Sequence, residues 1–430
     1  MKMLIREFWK KKEVQNGMWL YFLQICNTVI PLVTLPYITR ILGASKYGMF
    51  SIAINLVGYL QAVVEYGFGM SATRKVALLE IDDGNRLNKI FSGVIYSRII
   101  LFVISFIISI VYIIGSHLTN ETGICIVLLE LTLIGISLQL NWLFQGKQEM
   151  KFISISSIIA RSISVCCTFI FVKRPQDIFV YCIFYAASPI LVSVMGIIFA
   201  YSRYQVRLVK LTLKEIIDEL KSGWYVFTTQ LSSKIFGAIG ITFLGIFSTD
   251  IEVGIYSAVQ KIPYILLLIW TPISQVLYPI SSKKMSVSFA DGKRFIYKMR
   301  KYIFILFGGI AFFIAIFAKM VISILFGYEY AVQYSIIYPL LIWVLLGINN
   351  NFWGIQIMLG SGHDKEYSRC FQLGVLCTVI FNYILIYIFK SWGAAIAPVL
   401  SEGVLAVALF RQLRCIEKSV LELSLKMMNR

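Results

Sequence analysis

Few side chains in this sequence of 430 residues can do chemistry, and most of those stand inside apolar stretches. Arg161, Lys234 and Lys261 each interrupt such a stretch, as do Arg98 and Lys319. A guanidinium is planar and stays charged, so Arg161 can hold two oxygens of an anion at once; an ammonium such as Lys234 or Lys261 offers a point charge that desolvation weakens. The acids in comparable positions are Glu130, Glu402 and, toward the end of its stretch, Glu65. A carboxyl buried without a partner is driven toward its neutral form, which makes these three candidate carriers in a cycle coupled to H+ or Na+. Each group also has a structural reading, in which buried bases and acids pair with one another or Arg98 snorkels to the surface. A charge at such depth costs roughly 2.5–3.5 kcal/mol on insertion scales, so each must have a role of one kind or the other.

Other chemistry is poorly represented. The only histidines, His117 and His363, fall in different loops, and no Gly-rich loop followed by Lys-Ser/Thr is present. The eight cysteines (Cys26, Cys125, Cys166, Cys167, Cys182, Cys370, Cys377 and Cys415) lie mostly in apolar sequence at no metal-ligand spacing, and read as small hydrophobes. No metal and no cofactor is expected.

The elements that carry these groups follow from composition. Hydrophobic residues make up 58% of the chain and charged ones 14%, against roughly 45–50% and about 25% in a soluble domain. Residues 14–39, 178–202, 262–282 and 330–362 contain no Asp, Glu, Lys or Arg, and about 20 apolar residues suffice to span a bilayer. Backbone groups in hydrocarbon must be satisfied within their own segment, so the spans are helices. Twelve are expected, over 17–38, 48–70, 92–115, 123–144, 152–172, 178–200, 224–247, 254–281, 302–325, 331–359, 371–389 and 393–411. The basic start of the chain reads as the flank of an uncleaved first helix, with no short apolar region ending in a cleavage site. Pro31 and Pro36 in the first helix, and Pro263, Pro272 and Pro279 in the eighth, are candidate hinges; a static kink is the plainer reading.

A net charge of +18 invites a nucleic-acid reading, but the basic residues are dispersed among loops. With the N-terminus in the cytoplasm, 30 of the 40 Lys and Arg residues lie on the inner side and five (Arg40, Lys46, Lys173, Arg174 and Lys390) on the outer. That imbalance places both termini inside. A slide of 206 residues superposes Gly17, Gln24, Gly48, Ser51 and Leu60 on Gly223, Gln230, Gly254, Ser257 and Leu266. Gly135-Ile136 with Asn141-Trp142 likewise resembles Gly347-Ile348 with Phe352-Trp353. The expected fold is therefore an all-α integral membrane protein: two six-helix lobes, parallel repeats, around a central cavity. The lobes run over 1–200 and 224–413, joined by an amphipathic linker at 201–223 and followed by a cytoplasmic tail at 414–430.

Certain motifs carry a resemblance. They are Pro31-Leu-Val-Thr-Leu-Pro-Tyr-Ile-Thr-Arg-Ile-Leu-Gly43, Tyr47-Gly48, Glu65-Tyr-Gly-Phe-Gly-Met-Ser-Ala-Thr-Arg-Lys75, Trp142-Leu-Phe-Gln-Gly-Lys-Gln-Glu-Met150, Arg161 with Phe169-Ile-Phe-Val172, and Gly354-Ile-Gln-Ile-Met-Leu359 with Lys365-Glu366. Together, in this order, they resemble the O-antigen flippase (Wzx) family of polysaccharide transporters, within the multidrug/oligosaccharidyl-lipid/polysaccharide exporter superfamily. The resemblance implies an undecaprenyl-pyrophosphate-linked oligosaccharide as substrate, alternating access, and a place in the bacterial inner membrane beside a polymerase and chain-length machinery. Such a substrate needs a cationic groove for its pyrophosphate, and Arg161, Lys234 and Lys261 suit it. Trp142, Phe144, Trp224, Tyr225, Trp270, Trp343, Trp353 and Trp392 lie mostly near span ends and read as an interfacial belt rather than as sugar-stacking rings; Trp270 and Trp343 lie deep enough to leave stacking open.

Two rivals remain. An antiporter for drugs or metabolites would share the fold but favour a lumen of acids. A membrane polymerase would need acid–base groups on outer loops, and those loops are short.

The charge imbalance predicts that a cysteine placed at position 293, in a chain whose own cysteines are replaced, is shielded from an impermeant thiol reagent in intact cells. Labelling from outside would overturn the orientation.

Overall fold

The computed structural model describes residues 12–80, 83–116 and 118–428. The basic segment 1–11 and His117 lie outside them. The described residues are helical, joined by short connections, and nine of the helices are long and apolar enough to cross a membrane; the pair Val226–Ile235 and Gly237–Phe247, counted as one span, makes ten. Two of the runs, Gln15–Ala77 and Asp364–Ser419, are 63 and 56 residues long, and each covers two of the spans expected above. Their breaks have backbone causes. The helix Lys12–Glu65 continues through Pro31 and Pro36 and is interrupted at Gly43 (φ 71°, ψ 172°), in a region of φ/ψ space that side chains with a Cβ avoid. The helix Asp364–Met428 is interrupted at Lys390 (φ 51°).

The chain forms two compact units, Met1–Ala238 and Ile239–Arg430. Their division falls within the helix Leu213–Phe247, so Lys234, expected with the second lobe, is grouped with the first unit. That helix also begins eleven residues before the expected 224, because its first turns are charged and amphipathic. They pack on their own unit: Lys75 pairs with Glu219 at 2.7 Å, Tyr66 stacks on Phe227 with centroids 4.4 Å apart, and a Cβ on Gly67 would stand 2.7 Å from Val226. The expected linker is non-helical only over 205–212, where the backbone N–H groups of Arg207 and Val209 donate to Asn88 and Ser92.

In the first unit the helix Asn120–Leu138 is central, packed against Ile178–Tyr204, Lys12–Glu65 and Gly84–Gly115. Its approach to Ile178–Tyr204 is close because Gly135 has no side chain; a Cβ there would lie 2.6 Å from the Pro189 carbonyl carbon and the Ile190 nitrogen. The helix stops at Leu138 and a short one, Asn141–Gly146, follows. Trp142 and Phe144 are buried with Phe68, Phe91 and Leu143 in the apolar core of this unit. This corrects the interfacial-belt reading for these two.

In the second unit Ile337–Asn351 is the hub, touching Asp364–Met428, Lys261–Val287 and Phe289–Ile316. It passes into a π-helical stretch, Phe352–Met358. The interruptions therefore fall a few residues past Gly135-Ile136 in one unit and past Gly347-Ile348 in the other, and the break at Gly43 corresponds, in the 206-residue slide, to the gap before the helix Asp250–Val259. Pro263 stands in the first turn of Lys261–Val287, where a missing N–H costs nothing, whereas Pro272 and Pro279 lie inside it.

The Gly135 contact predicts that Gly135→Val lowers stability by about 1–3 kcal/mol or more, since the opposing atoms are backbone and cannot yield. Thermal unfolding of the purified protein in detergent checks this; an unchanged midpoint would contradict the close approach.

Candidate functional site

Arg161 lies at the middle of the helix Met150–Phe171. Its Nη1 donates to Asn27 Oδ1 at 2.7 Å, an amide that orients the guanidinium without neutralising it. Tyr185 is close enough to feel its charge. Tyr185 in turn packs edge-on to Phe50, 5.5 Å between centroids, beside Tyr181, so an aromatic wall stands next to the cation. Sequence reasoning missed that wall, although the spacing of Tyr181 and Tyr185, one helical turn, was a usable signal.

Lys234 is exposed on Leu213–Phe247, and Lys261 is exposed at the first position of Lys261–Val287, just past the break at Gln260. Among the described residues none of Arg161, Lys234 and Lys261 has a carboxylate within ion-pair distance. The reading of these three as ion-pair partners therefore finds no partner acid.

Arg98 is different. It is 5% exposed, and its Nη1 donates to the carbonyls of Ile136 and Gln139 at 3.3 and 2.8 Å. Those carbonyls lie at the end of Asn120–Leu138, where backbone donors run short: Ile136 also receives the Gln139 N–H at 3.2 Å, and the Gln139 carbonyl depends on Arg98. Arg98 is thus a structural cap, turned inward where a surface-seeking side chain was expected.

The acids are equally varied. Glu65 accepts from Gln61 Nε2 at 2.8 Å and lies within electrostatic reach of Arg98. Glu130 is buried in the centre of Asn120–Leu138, beside Ser109, and neither of its oxygens is hydrogen-bonded within the described residues. A lone buried carboxylate costs several kcal/mol, so this position suits a neutral acid or one that meets a cation. Glu402 accepts from Asn350 Nδ2 at 2.6 Å. Asn350 opens a network of the second unit that the sequence did not disclose: Arg300 Nε donates to Asn349 Oδ1 at 2.9 Å, and Asn349 Nδ2 reaches Asn350 Oδ1 at 3.5 Å. A neighbouring set is fully satisfied. Gln356 is buried, donates to the Ser274 hydroxyl and carbonyl and accepts from Ser281. Trp270, a candidate for sugar stacking, is buried against Phe307 and Phe352 and belongs to the core.

A family of polysaccharide biosynthesis proteins matches residues 14–285, more than half of the chain. The chain belongs to this family. Among proteins of known name, it is 28% identical over 393 residues to the "Putative O-antigen transporter" of Escherichia coli strain K12, covering 90% of this chain and 93% of that one. It is 24% identical to the "Putative O-antigen transporter" of Shigella dysenteriae, over 93% of this chain and all of the other. Among solved structures it resembles the lipid II flippase MurJ, with a TM-score of 0.71 at 13% identity over 93% and 87% of the two chains. It also resembles an inward-facing multidrug resistance transporter of the MATE family, with a TM-score of 0.63 at 15% identity over 92% and 99%. The fold is that of these multi-pass membrane transporters.

Arg98 and Arg161 are predicted to separate stability from function. Arg98→Leu takes the donor from the Gln139 carbonyl, while Ile136 keeps the Gln139 N–H, and should lower stability by about 1–3 kcal/mol, whereas Arg161→Leu gives up one half-buried bond and should unfold at nearly the wild-type temperature. Equal losses in the two variants would refute the distinction.

Proposed function

We propose that the chain is a flippase, carrying an undecaprenyl-pyrophosphate-linked oligosaccharide across the bacterial cytoplasmic membrane by alternating access, with both termini in the cytoplasm. The observation that carries the reading is the set of cations placed within apolar helices, Arg161, Lys234 and Lys261, with no acid beside them among the described residues. Uncompensated positive charge at that depth suits an anionic head group that must leave water while its polyprenyl tail stays in lipid. The relatives named as O-antigen transporters support the substrate class.

In this reading Arg161, fixed by Asn27, grips pyrophosphate oxygens through its fork, and the aromatic wall of Phe50 and Tyr185 offers faces on which sugar rings rest. Lys234 and Lys261 add charge that weakens on desolvation and so favours release. Glu130, Glu402 and Glu65 are the candidate acids for coupling to H+ or Na+. Pro31, Pro36, Pro263 and Pro272 are the candidate hinges for the change of access. A polymerase and chain-length machinery would receive the product.

A drug antiporter of the same fold is the second reading, favoured by the lone acid Glu130. One experiment separates the two. In a strain lacking its own flippase, the wild-type gene should restore surface polysaccharide and the Arg161→Ala, Lys234→Ala double variant should not, at equal amounts of inserted protein. Arg161→Lys should lose much of the activity because an ammonium cannot hold two oxygens. Normal polysaccharide in the double variant would reject these residues as the clamp; failure of the wild type to restore it would reject the flippase.

A further inference from the structure

Arg300, at one end of the Asn349–Asn350 network, is held by an amide and by rings. Its Nε donates to Asn349 Oδ1 at 2.9 Å. Three rings surround the guanidinium: Tyr297 at 5.8 Å, Phe304 at 5.2 Å and Trp353 at 5.2 Å from their centroids. Within the described residues neither Nη atom donates a hydrogen bond to a protein group, and no carboxylate is in ion-pair contact. A guanidinium has five N–H donors in a fixed fork; one is used to set its direction, and the four on the Nη atoms are unspent. Aromatic faces hold the cation without cancelling its charge, and they exclude water that would screen it.

The hydrogen bonds that aim this group run in one sense. Asn349 presents its oxygen to Arg300, so its amide nitrogen points to Asn350. Asn350 presents its own nitrogen to Glu402, bonding both the Oε2 carboxylate oxygen at 2.6 Å and the backbone carbonyl at 2.9 Å. Every donor points toward the carboxylate, which can only accept while ionised. Around Glu402 the other facing groups are Tyr367, whose phenol senses the carboxylate, and Gly347, which leaves space beside Oε1. The negative end thus fixes both amides and, two residues away, the acceptor for Arg300. Three helices, Phe289–Ile316, Ile337–Asn351 and Asp364–Met428, contribute to the row.

We propose that Arg300 binds a phosphate-type oxyanion through its free Nη edge, and that Asn349, oriented by Asn350 and Glu402, is its positioning residue. The inference rests on the flippase reading only for the ligand's source, the diphosphate of a polyprenyl-linked substrate. The phosphodiester of an anionic bulk lipid, which lacks the choline cation that pairs with the phosphate in phosphatidylcholine, has the same chemistry and is the alternative source. Trp353, its ring centroid 5.2 Å from the guanidinium carbon, serves as the reporter.

The full-length protein in phosphatidylcholine nanodiscs is titrated with sodium pyrophosphate while tryptophan fluorescence is followed. A saturable change should appear in the wild type and vanish in Trp353→Phe. Arg300→Ala should abolish it, and Arg300→Lys, which keeps the charge and the fold but not the fork, should weaken it about tenfold or more, the scale of a hydrogen bond to a charged group. Asn349→Leu should weaken it by a similar factor, and the Arg300→Lys, Asn349→Leu double variant should be no worse than Arg300→Lys alone, because the amide acts by aiming the guanidinium fork. If phosphatidylglycerol in the disc produces the change and pyrophosphate adds nothing, the bound oxyanion is the bulk lipid's. A wild type silent to both probes, a response surviving Trp353→Phe, or unaltered titrations in both Arg300 variants overturns the proposal. An additive loss in the double variant overturns the positioning role of Asn349. Restoration of surface polysaccharide by the wild type is scored separately: binding without restoration would refute the flippase and leave the oxyanion site standing.

Discussion

In hydrocarbon, water cannot complete a hydrogen bond, so each polar atom of the chain must be answered from within or held in reserve for a ligand. The backbone meets this requirement by being helical. Side chains meet it unevenly, and that unevenness organises the molecule. Gln356 is answered on both its atoms by Ser274 and Ser281; Glu130 is not answered by any described residue. Where satisfaction is complete, the group is part of the framework. Where it is incomplete, a proton, an ion or a substrate can supply what is missing.

The arginines illustrate the same constraint with one side chain. Arg98 spends a nitrogen on two carbonyls at the end of a broken helix. Arg161 makes a single amide contact, and Arg300 is aimed by an amide and boxed by rings. All three are cations in or beside apolar sequence, and sequence position alone ranks them by depth. Depth is the wrong coordinate for separating them. What matters is how many N–H groups each has left, which depends on residues as distant as the 49 positions separating Arg300 from Asn349.

What was legible in the sequence followed from periodicity, composition and recurrent motifs. The apolar blocks located the spans because a bilayer punishes interruption, and the motifs gathered around Gly43, Gly67, Trp142 and Gln356 pointed to the polysaccharide family to which the chain belongs. Features set by tertiary contact were illegible. The early start of Leu213–Phe247 was hidden because Lys214, Glu215, Asp218 and Glu219 look like a loop until Lys75 is found opposite them. Trp142 looked interfacial because it lies near the end of an expected span, but the break at Leu140 turns it into the core. The Asn349–Asn350 relay gave no signal at all, since two adjacent amides are ordinary in a sequence and unusual only once a carboxylate and a guanidinium stand at either end.

The π-helical stretch Phe352–Met358 has a consequence of its own. In an unbroken α-helix a residue seven positions beyond Asn349 returns to the same face, so Gln356 would point toward Arg300. The wider π turn closes its hydrogen bonds over five residues instead of four, which shifts the face of each later side chain. Gln356 accordingly stacks on Asn351, reaching its Oδ1 at 3.5 Å, and both meet Ser274 on Lys261–Val287. The stretch thus works as a phase shifter. It keeps two polar systems on one helix from sharing a side, assigning Asn349 and Asn350 to one set of neighbours and Asn351 and Gln356 to another.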